Sequence, residues 1–512
     1  MRQAPSSPVA HNVFRHILII GTLFSITTLM AGKGRCFDFP KNVEKVDLSR
    51  EVAIKMAVLY NIDMRVESLN SKMAEIDVAR SRGIYDTILS VSSTGGMTYT
   101  PGSPFFLSKN STSSIGLTQY LPTGGSITAS TQTGYTNAEV GLDVGTITSE
   151  WQSSAGVTIS HPLLKNAGRE TMELSITLAA NAFQDSMERL QSVNTETVAA
   201  VISTYNHLYA LRQNLESRAA AMQSAQNLLD EVKNRKKPGA LQKLEIANTE
   251  FAITQRRKDL IDAERNVRDQ EAALRYLIGL ESKLRINPLT APSREEPKES
   301  EEQAVKNALE LRFDLRQLML TLKSSQLQER VSRHQKLPDL SLTASAGFSG
   351  TNANIGKSFS QIGEHPAQFW SAGLQFTAPL GNTAADSDYR KSRIRTEQVQ
   401  TQIKSLSWKI RNDVESDMRA LISARIQIQT ADGSLKYAEQ RLEEYRKNSR
   451  LGTSTVQDVL NAENDLTNAR NAQMDALETF SNAVTKLWKD SGVLLDRHGV
   501  HFEYEKEDKP KK

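Results

Sequence analysis

The residues of this sequence that could do chemistry are scattered, with one exception. Its eight histidines show no metal-ligand spacing such as His-Glu-x-x-His, and the chain has no Gly-rich phosphate loop and no Gly-x-Ser-x-Gly elbow. Cys36 is the only cysteine, which excludes an intrachain disulfide and a Cys-rich metal site. The expectation is a protein that is not an enzyme and carries no cofactor or metal. The exception is the run Gly452-Thr453-Ser454-Thr455-Val456-Gln457-Asp458-Val459-Leu460-Asn461-Ala462-Glu463. Here a glycine turn precedes Asp458 and Asn461, less than one helical turn apart at the start of a helical pattern. A carboxylate there can complement the positive end of a helix dipole. Repeated around a symmetry axis, it can instead form the acidic ring by which a pore prefers cations.

The elements that would position this run are long helices. Val201, Leu208, Leu215, Met222 and Leu229 recur every seven residues, and so do Ile246, Ile253, Leu260, Val267 and Leu274. Later come Val414, Leu421, Ile428, Leu435 and Leu442, then Val459, Leu466, Phe480 and Leu487, interrupted at Gln473. Sustained heptads keep one seam facing a partner helix, as in a coiled coil. Ala424, Ala431 and Ala438, and Ala462, Ala469, Ala476 and Ala483, add small positions that let backbones approach closely. Two turns interrupt the pattern, at Arg235–Ala240 and at Arg450–Thr455. Gly452 suits a left-handed helix stop, and Ser454 with Gln457 fits a capping box for the next helix. An arm from Thr171 to Arg235 spans on the order of 100 Å at about 1.5 Å per residue.

The N-terminus addresses the chain for export. Arg2 and Arg15 precede the apolar run Ile17–Ala31, and the small residues Gly32 and Gly34 follow, so residues 1–34 read as a secretory signal peptide. No other stretch is long and apolar enough for a spanning helix, so any later membrane insertion requires a closed β-barrel. The 63 basic and 59 acidic residues are intermixed, which argues against nucleic acid as a partner. An apolar fraction of 38% is low for a thick globular core and suits long, largely exposed helices.

The chain is internally duplicated. Ile54–Arg65 matches Val305–Arg316, with Lys, Ala, Asp and Arg in register. After each copy come a helical pattern, a Ser/Thr/Gly-rich zone, a Pro-Leu step and two very long helical patterns. The expected organisation is a first repeat over 35–285, with strands at about 84–160 and a helical hairpin at 163–280. A proline-rich linker over 286–302 leads to the second repeat over 303–495, with strands at about 338–378 and a hairpin at 380–492. A charged tail covers 496–512. Alternation in Thr87–Ser92, Ala155–Ser160, Leu340–Phe348 and Gly373–Thr377 suggests strands with one apolar and one polar side. An extra hairpin is expected near Ser114–Thr136. Trp151 and Trp370 precede the second strand of each half, where a membrane interface would favour aromatic rings.

In this order the pieces resemble the TolC-type outer-membrane efflux proteins over nearly the whole mature length. The most specific match is the Gly452–Glu463 run, which looks like the family's hairpin tip. Pro162-Leu163-Leu164 and Pro379-Leu380 resemble its strand-to-helix junctions, with each proline suited to the first turn of a helix. Lys243 stands in the first half where the second has Asp458, and Asn461 replaces a further pore carboxylate. The resemblance implies a mainly α fold with a β portion: a homotrimer with four strands per chain in one twelve-stranded transmembrane β-barrel, above a periplasmic α-barrel of coiled-coil helices. It implies location in the outer membrane of a Gram-negative bacterium, in contact with outer-membrane lipids. The function implied is a passive duct of a tripartite efflux or type I secretion system. A periplasmic adaptor would dock at the tips Pro238, Gly239, Ala240, Leu241 and Leu451, Gly452, Thr453, Ser454, and an inner-membrane transporter would supply the cargo. Asp458 and Asn461 become the pore-constriction candidates. The competing reading is a periplasmic coiled-coil scaffold without a pore, for which the strand zones would have no use.

Overall fold

In a computed structural model, residues 45–102, 105–141, 146–234, 240–281 and 283–500 are described. The signal region, Cys36, the turn residues 235–239 with Pro238 and Gly239, and the last twelve residues lie outside them. The chain divides into two compact units, each drawing on both sequence repeats. One comprises Asp63–Glu196, Pro297–Leu421 and the chain from Lys486; the other takes the residues to Ile62, Thr197–Glu296 and Ile422–Thr485.

The order of elements is β1 (Lys45–Leu48), α1 (Arg50–Tyr60), α2 (Ile62–Arg82), β2 (Ile88–Thr100), β3 (Phe105–Tyr120), β4 (Ser126–Gly141) and β5 (Thr146–Pro162). There follow α3 (Arg169–Met172), α4 (Leu174–Lys233), α5 (Ala240–Leu277), β6 (Arg285–Pro288), α6 (Glu301–Leu311) and α7 (Phe313–His334). Last come β7 (Asp339–Asn352), α8 (Ile355–Glu364), β8 (Ala367–Thr377), α9 (Thr383–Arg450), α10 (Val456–Asp490) and α11 (Leu494–Arg497). At 60 residues α4 is about 90 Å long, and α9, at 68, about 100 Å. Among the described residues no helix is long and apolar enough to cross a membrane.

The first unit is built on one antiparallel sheet of six strands in the order β2-β3-β4-β5-β7-β8. The expected four strands are thus corrected to six. The extra hairpin is the full-length pair β3–β4, turning at Leu121–Gly125, and it lies between β2 and β5. Its alternation is weak in the sequence because long stretches put Ser, Thr, Asn or Gly on both faces. Register sorts the faces. Leu89, Leu117, Ala129, Val157, Ala346 and Trp370 follow one another across all six strands, and Val91, Ile115, Thr131, Ala155 and Phe348 form the row beside them. The opposite face carries hydroxyls that bond across strands, Ser92 to Ser114 at 2.8 Å, Thr118 to Thr128 at 3.0 Å and Ser345 to Ser371 at 2.7 Å. On that face Phe369 covers Gly156 and Gly347, where a Cβ would meet its ring and the facing backbone within 3.2 Å.

Helix α8 packs on the apolar face beyond Phe348. Asn354 caps it by accepting from the Gly356 and Lys357 amides, and Ser358 is buried against Ser153 at 2.8 Å. The Ser358 carbonyl closes over Gly350, which leaves no room for a side chain there.

Both prolines stand at the step from a strand to the next helix, but not in a first helical turn as expected. Pro162 is the last residue of β5, paired with Ser341, and Pro379 lies between β8 and α9. At a strand end a residue without an N–H breaks no ladder bond. Reversal falls instead to Asn166 and Asn382, both left-handed at φ 65° and 42°. Asn166 accepts from the Gln335 side chain, and Asn382 donates to the Lys336 carbonyl.

In the second unit β1 and β6 form a short parallel pair. The segment read as linker therefore begins inside a strand, with Ile286 buried. Tyr205, fully buried on α4, donates to the Leu48 carbonyl at 2.8 Å and accepts from the Thr290 amide at 2.9 Å. Heptad residues Val201, Leu208, Val267, Leu274 and Phe480 are buried here.

Candidate functional site

The Gly452 turn is built from its own backbone. The Gly452 amide donates to the Ser449 carbonyl and that of Thr453 to the Asn448 carbonyl, a doubly bonded C-terminal stop for α9. Gly452 lies at φ 79°, a region costly for residues with a Cβ. Helix α10 then starts at Val456 with a reciprocal cap. The Asp458 carboxylate accepts from the Thr455 amide at 2.9 Å and the Thr455 hydroxyl at 2.7 Å, while the Asp458 amide donates to the Thr455 hydroxyl at 3.2 Å. The capping box is therefore Thr455/Asp458, one residue later than the Ser454/Gln457 expected, and Gln457 donates to Asn461 at 2.9 Å instead. The bonds from the Thr455 side chain and backbone hold the Asp458 carboxyl below its ordinary range, so it is ionised at neutral pH. Leu451 stands 71% exposed at the turn. The first-half tip begins α5 at Ala240 and Leu241.

Behind the turn the two hairpins merge into one core. Ala225, Leu228 and Val232 of α4 and Leu442 of α9 are buried with Val456, Val459, Leu460 and Ala462 of α10, and Ile246 and Ile253 of α5 pack against them. Inside this apolar setting sits Glu463, only 4% exposed. It accepts from Ser224 of α4 at 2.5 Å, Arg446 of α9 at 2.8 Å and Arg256 of α5 at 2.8 Å. Arg256, 7% exposed, also donates to the Ala221 carbonyl at 2.6 Å. Burial alone would raise the Glu463 carboxyl, but the bonds from Ser224, Arg446 and Arg256 prevail and hold it below the ordinary value. One carboxylate thus ties four helices together.

The sequence reading missed this cluster, although a signal existed. Arg256 lies three residues after Ile253, the second seam position of its heptad, between Thr249 and Ala263, both buried. A charge at a seam position needs a buried partner.

The two tryptophans share the apolar face of the sheet but not a level. Trp151 pairs with Tyr135, ring centroids 4.9 Å apart, and with Asn352; Trp370 pairs with Ala346, six residues further down the same strand. Among the described residues no three His, Cys, Asp or Glu side chains gather as a metal site.

The sequence matches the outer membrane efflux protein family over residues 115–280 and 304–492. No curated protein matches it in sequence. Among solved structures the fold is similar to that of CusC, at 16% identity and a TM-score of 0.65, over 89% of this chain and 95% of that one. It is similar to the Campylobacter jejuni outer membrane channel CmeC at 15% identity and a TM-score of 0.64, over 87% and 86%. It is also similar to the open state of the Neisseria gonorrhoeae outer membrane channel MtrE at 16% and 0.63, over 91% and 96%. The family match covers well over half of the chain, in both halves; this chain belongs to the outer membrane efflux protein family and has the fold of an outer-membrane channel.

Proposed function

We propose that three copies of the chain form one passive duct through the outer membrane of a Gram-negative cell, with the hairpin tips in the periplasm receiving an adaptor protein and, through it, an inner-membrane transporter. The observation that supports this most is the second-half tip. It is a doubly bonded turn on a cross-tied four-helix end that presents an exposed leucine to a partner. The scaffold reading has no role for a sheet with an apolar face across six strands. Leu451→Glu together with Leu241→Glu is expected to abolish export and adaptor capture while leaving the yield of assembled protein unchanged. Export at the original level would remove the tips from the interface.

Asp458 is placed by this proposal at the constriction, repeated threefold with Asn461 beside it. The reciprocal bonds with Thr455 favour a second reading, in which Asp458 serves only the helix start. Single-channel recording of Asp458→Asn decides between them. Loss of cation preference and of divalent block supports the ring; unchanged selectivity leaves the cap.

A further inference from the structure

We infer that the barrel wall of the assembled channel has eighteen strands rather than twelve. Three copies, each contributing its six-stranded sheet, close a bore with slightly over twice the cross-section of a twelve-stranded one. The count rests on the trimer proposed above.

The first observation is topological. The hairpin β3–β4 is not attached beside the sheet; β2 is hydrogen-bonded to β3 alone and β5 reaches β2 only through β4 and β3. Folding the hairpin out of the wall would break thirteen paired positions of β2. It would also break the β4–β5 ladder from Ser126↔Ser160 onward. In hydrocarbon those backbone groups have no water to turn to.

The second observation is chemical. The hairpin carries its share of the apolar face: Ile115, Leu117 and Ile127 are 49%, 49% and 36% exposed, in register with Val91, Leu89 and Ile159 on the flanking strands. A hairpin lying over the mouth of the barrel would have no reason to continue the wall's apolar rows. Every strand is also long enough to cross, from 11 residues in β8 to 17 in β5, against the ~9–11 a tilted strand needs.

The third observation concerns closure. β2 and β8 are the open edges, exposed along their whole lengths of 13 and 11 residues. With every neighbour antiparallel and an even number of strands, β8 of one copy runs antiparallel to β2 of the next. The same pairing therefore repeats around the ring without a mismatch. One copy alone offers six strands, fewer than the ~8 of the smallest closed membrane barrels.

Strands spaced about 4.8 Å and tilted about 40° each add roughly 6.3 Å of circumference. Twelve strands then give a backbone diameter of about 24 Å and eighteen about 36 Å. The inward face is lined by small hydroxyl side chains such as Ser92, Thr118, Thr158 and Ser345. The membrane-spanning part is thus a wide, weakly selective exit for bulky cargo, and selection rests with other parts of the machine.

The test uses the full chain in mild detergent. Native mass gives the number of copies, and electron cryo-microscopy counts the strands in the wall. A trimer with eighteen strands and a diameter near 36 Å is expected. A trimer with twelve strands, and β3–β4 outside the wall, overturns this inference and leaves the trimer standing. A monomer or dimer overturns the trimer, and the count of eighteen with it. A second measurement replaces residues 101–145 by an Asn-Gly turn, joining Thr100 to Thr146, which already lie level through Phe106 and Val140. Neutral polymers added from the extracellular side should then enter only up to about two-thirds of the original diameter. An unchanged size limit in an assembled variant overturns the inference.

Discussion

Replacing Arg256 by Met tests the reasoning about the tip most directly. The substitution keeps much of the volume and removes the charge that faces Glu463 at 2.8 Å. Taking one partner from a buried ion pair costs about 3–5 kcal/mol, because the other charge stays buried without compensation. Here Arg446 and Ser224 remain on Glu463, and the Ala221 carbonyl, inside α4, keeps its helical bond, which together point to the lower end. About 3 kcal/mol of lost local stability is the expectation, seen as amide exchange on the order of 100-fold faster in 246–263 and 456–466, with sheet amides unchanged. Removing both charges, Arg256→Met with Glu463→Leu, should recover most of the loss, since apolar replacement of a buried pair is often neutral. Its depressed carboxyl gives the pair a defined pH window. The stabilisation is complete above the ordinary value of 4.5 and is lost as pH falls through the lower folded value, so protection from exchange, corrected for the intrinsic rate at each pH, should not vary near neutrality. Single substitutions that change exchange less than tenfold, or a double variant worse than the sum of both, would refute the argument.

Three further outcomes follow from the same physics. Ala346→Arg, on the apolar face between Val157 and Trp370, should cost about 2–4 kcal/mol in refolding into lipid vesicles, while Ser345→Arg on the hydroxyl face should assemble normally. Asp417 is 2% exposed and is pushed up to about 6 by burial, with Asp490 adding to the effect and Lys486 at 2.5 Å opposing it. A carboxyl raised when folded holds its proton longer than in the unfolded chain, so its contribution falls as pH rises from 3.8 to about 6. Asp417→Asn should flatten that part of a melting-temperature profile. Tyr205→Phe strands the Thr290 amide, while the Leu48 carbonyl keeps the Leu289 amide, and should cost about 1–3 kcal/mol, read as faster proteolysis after Leu289.

By itself the sequence determined what depends on period and on single residues. The heptads marked the four long helices because a seam repeating every seven residues survives any detail of packing. Gly452 marked the turn because a left-handed backbone selects glycine, and the duplicated Ile54–Arg65 pattern announced two halves. Tertiary structure decided the rest, for identifiable reasons. Whether Ser454 or Thr455 caps α10 depended on one backbone step, since both carry a hydroxyl and both have a bonding side chain three residues on. Strands β3 and β4 were half hidden because Ser, Thr and Gly on both faces erase alternation, and only pairing with β2 and β5 shows which side is apolar. The Glu463 cluster joins residues from four helices, up to 239 positions apart, so no local pattern could contain it. The chain records which residues are helical and which are charged; the fold decides which charges meet.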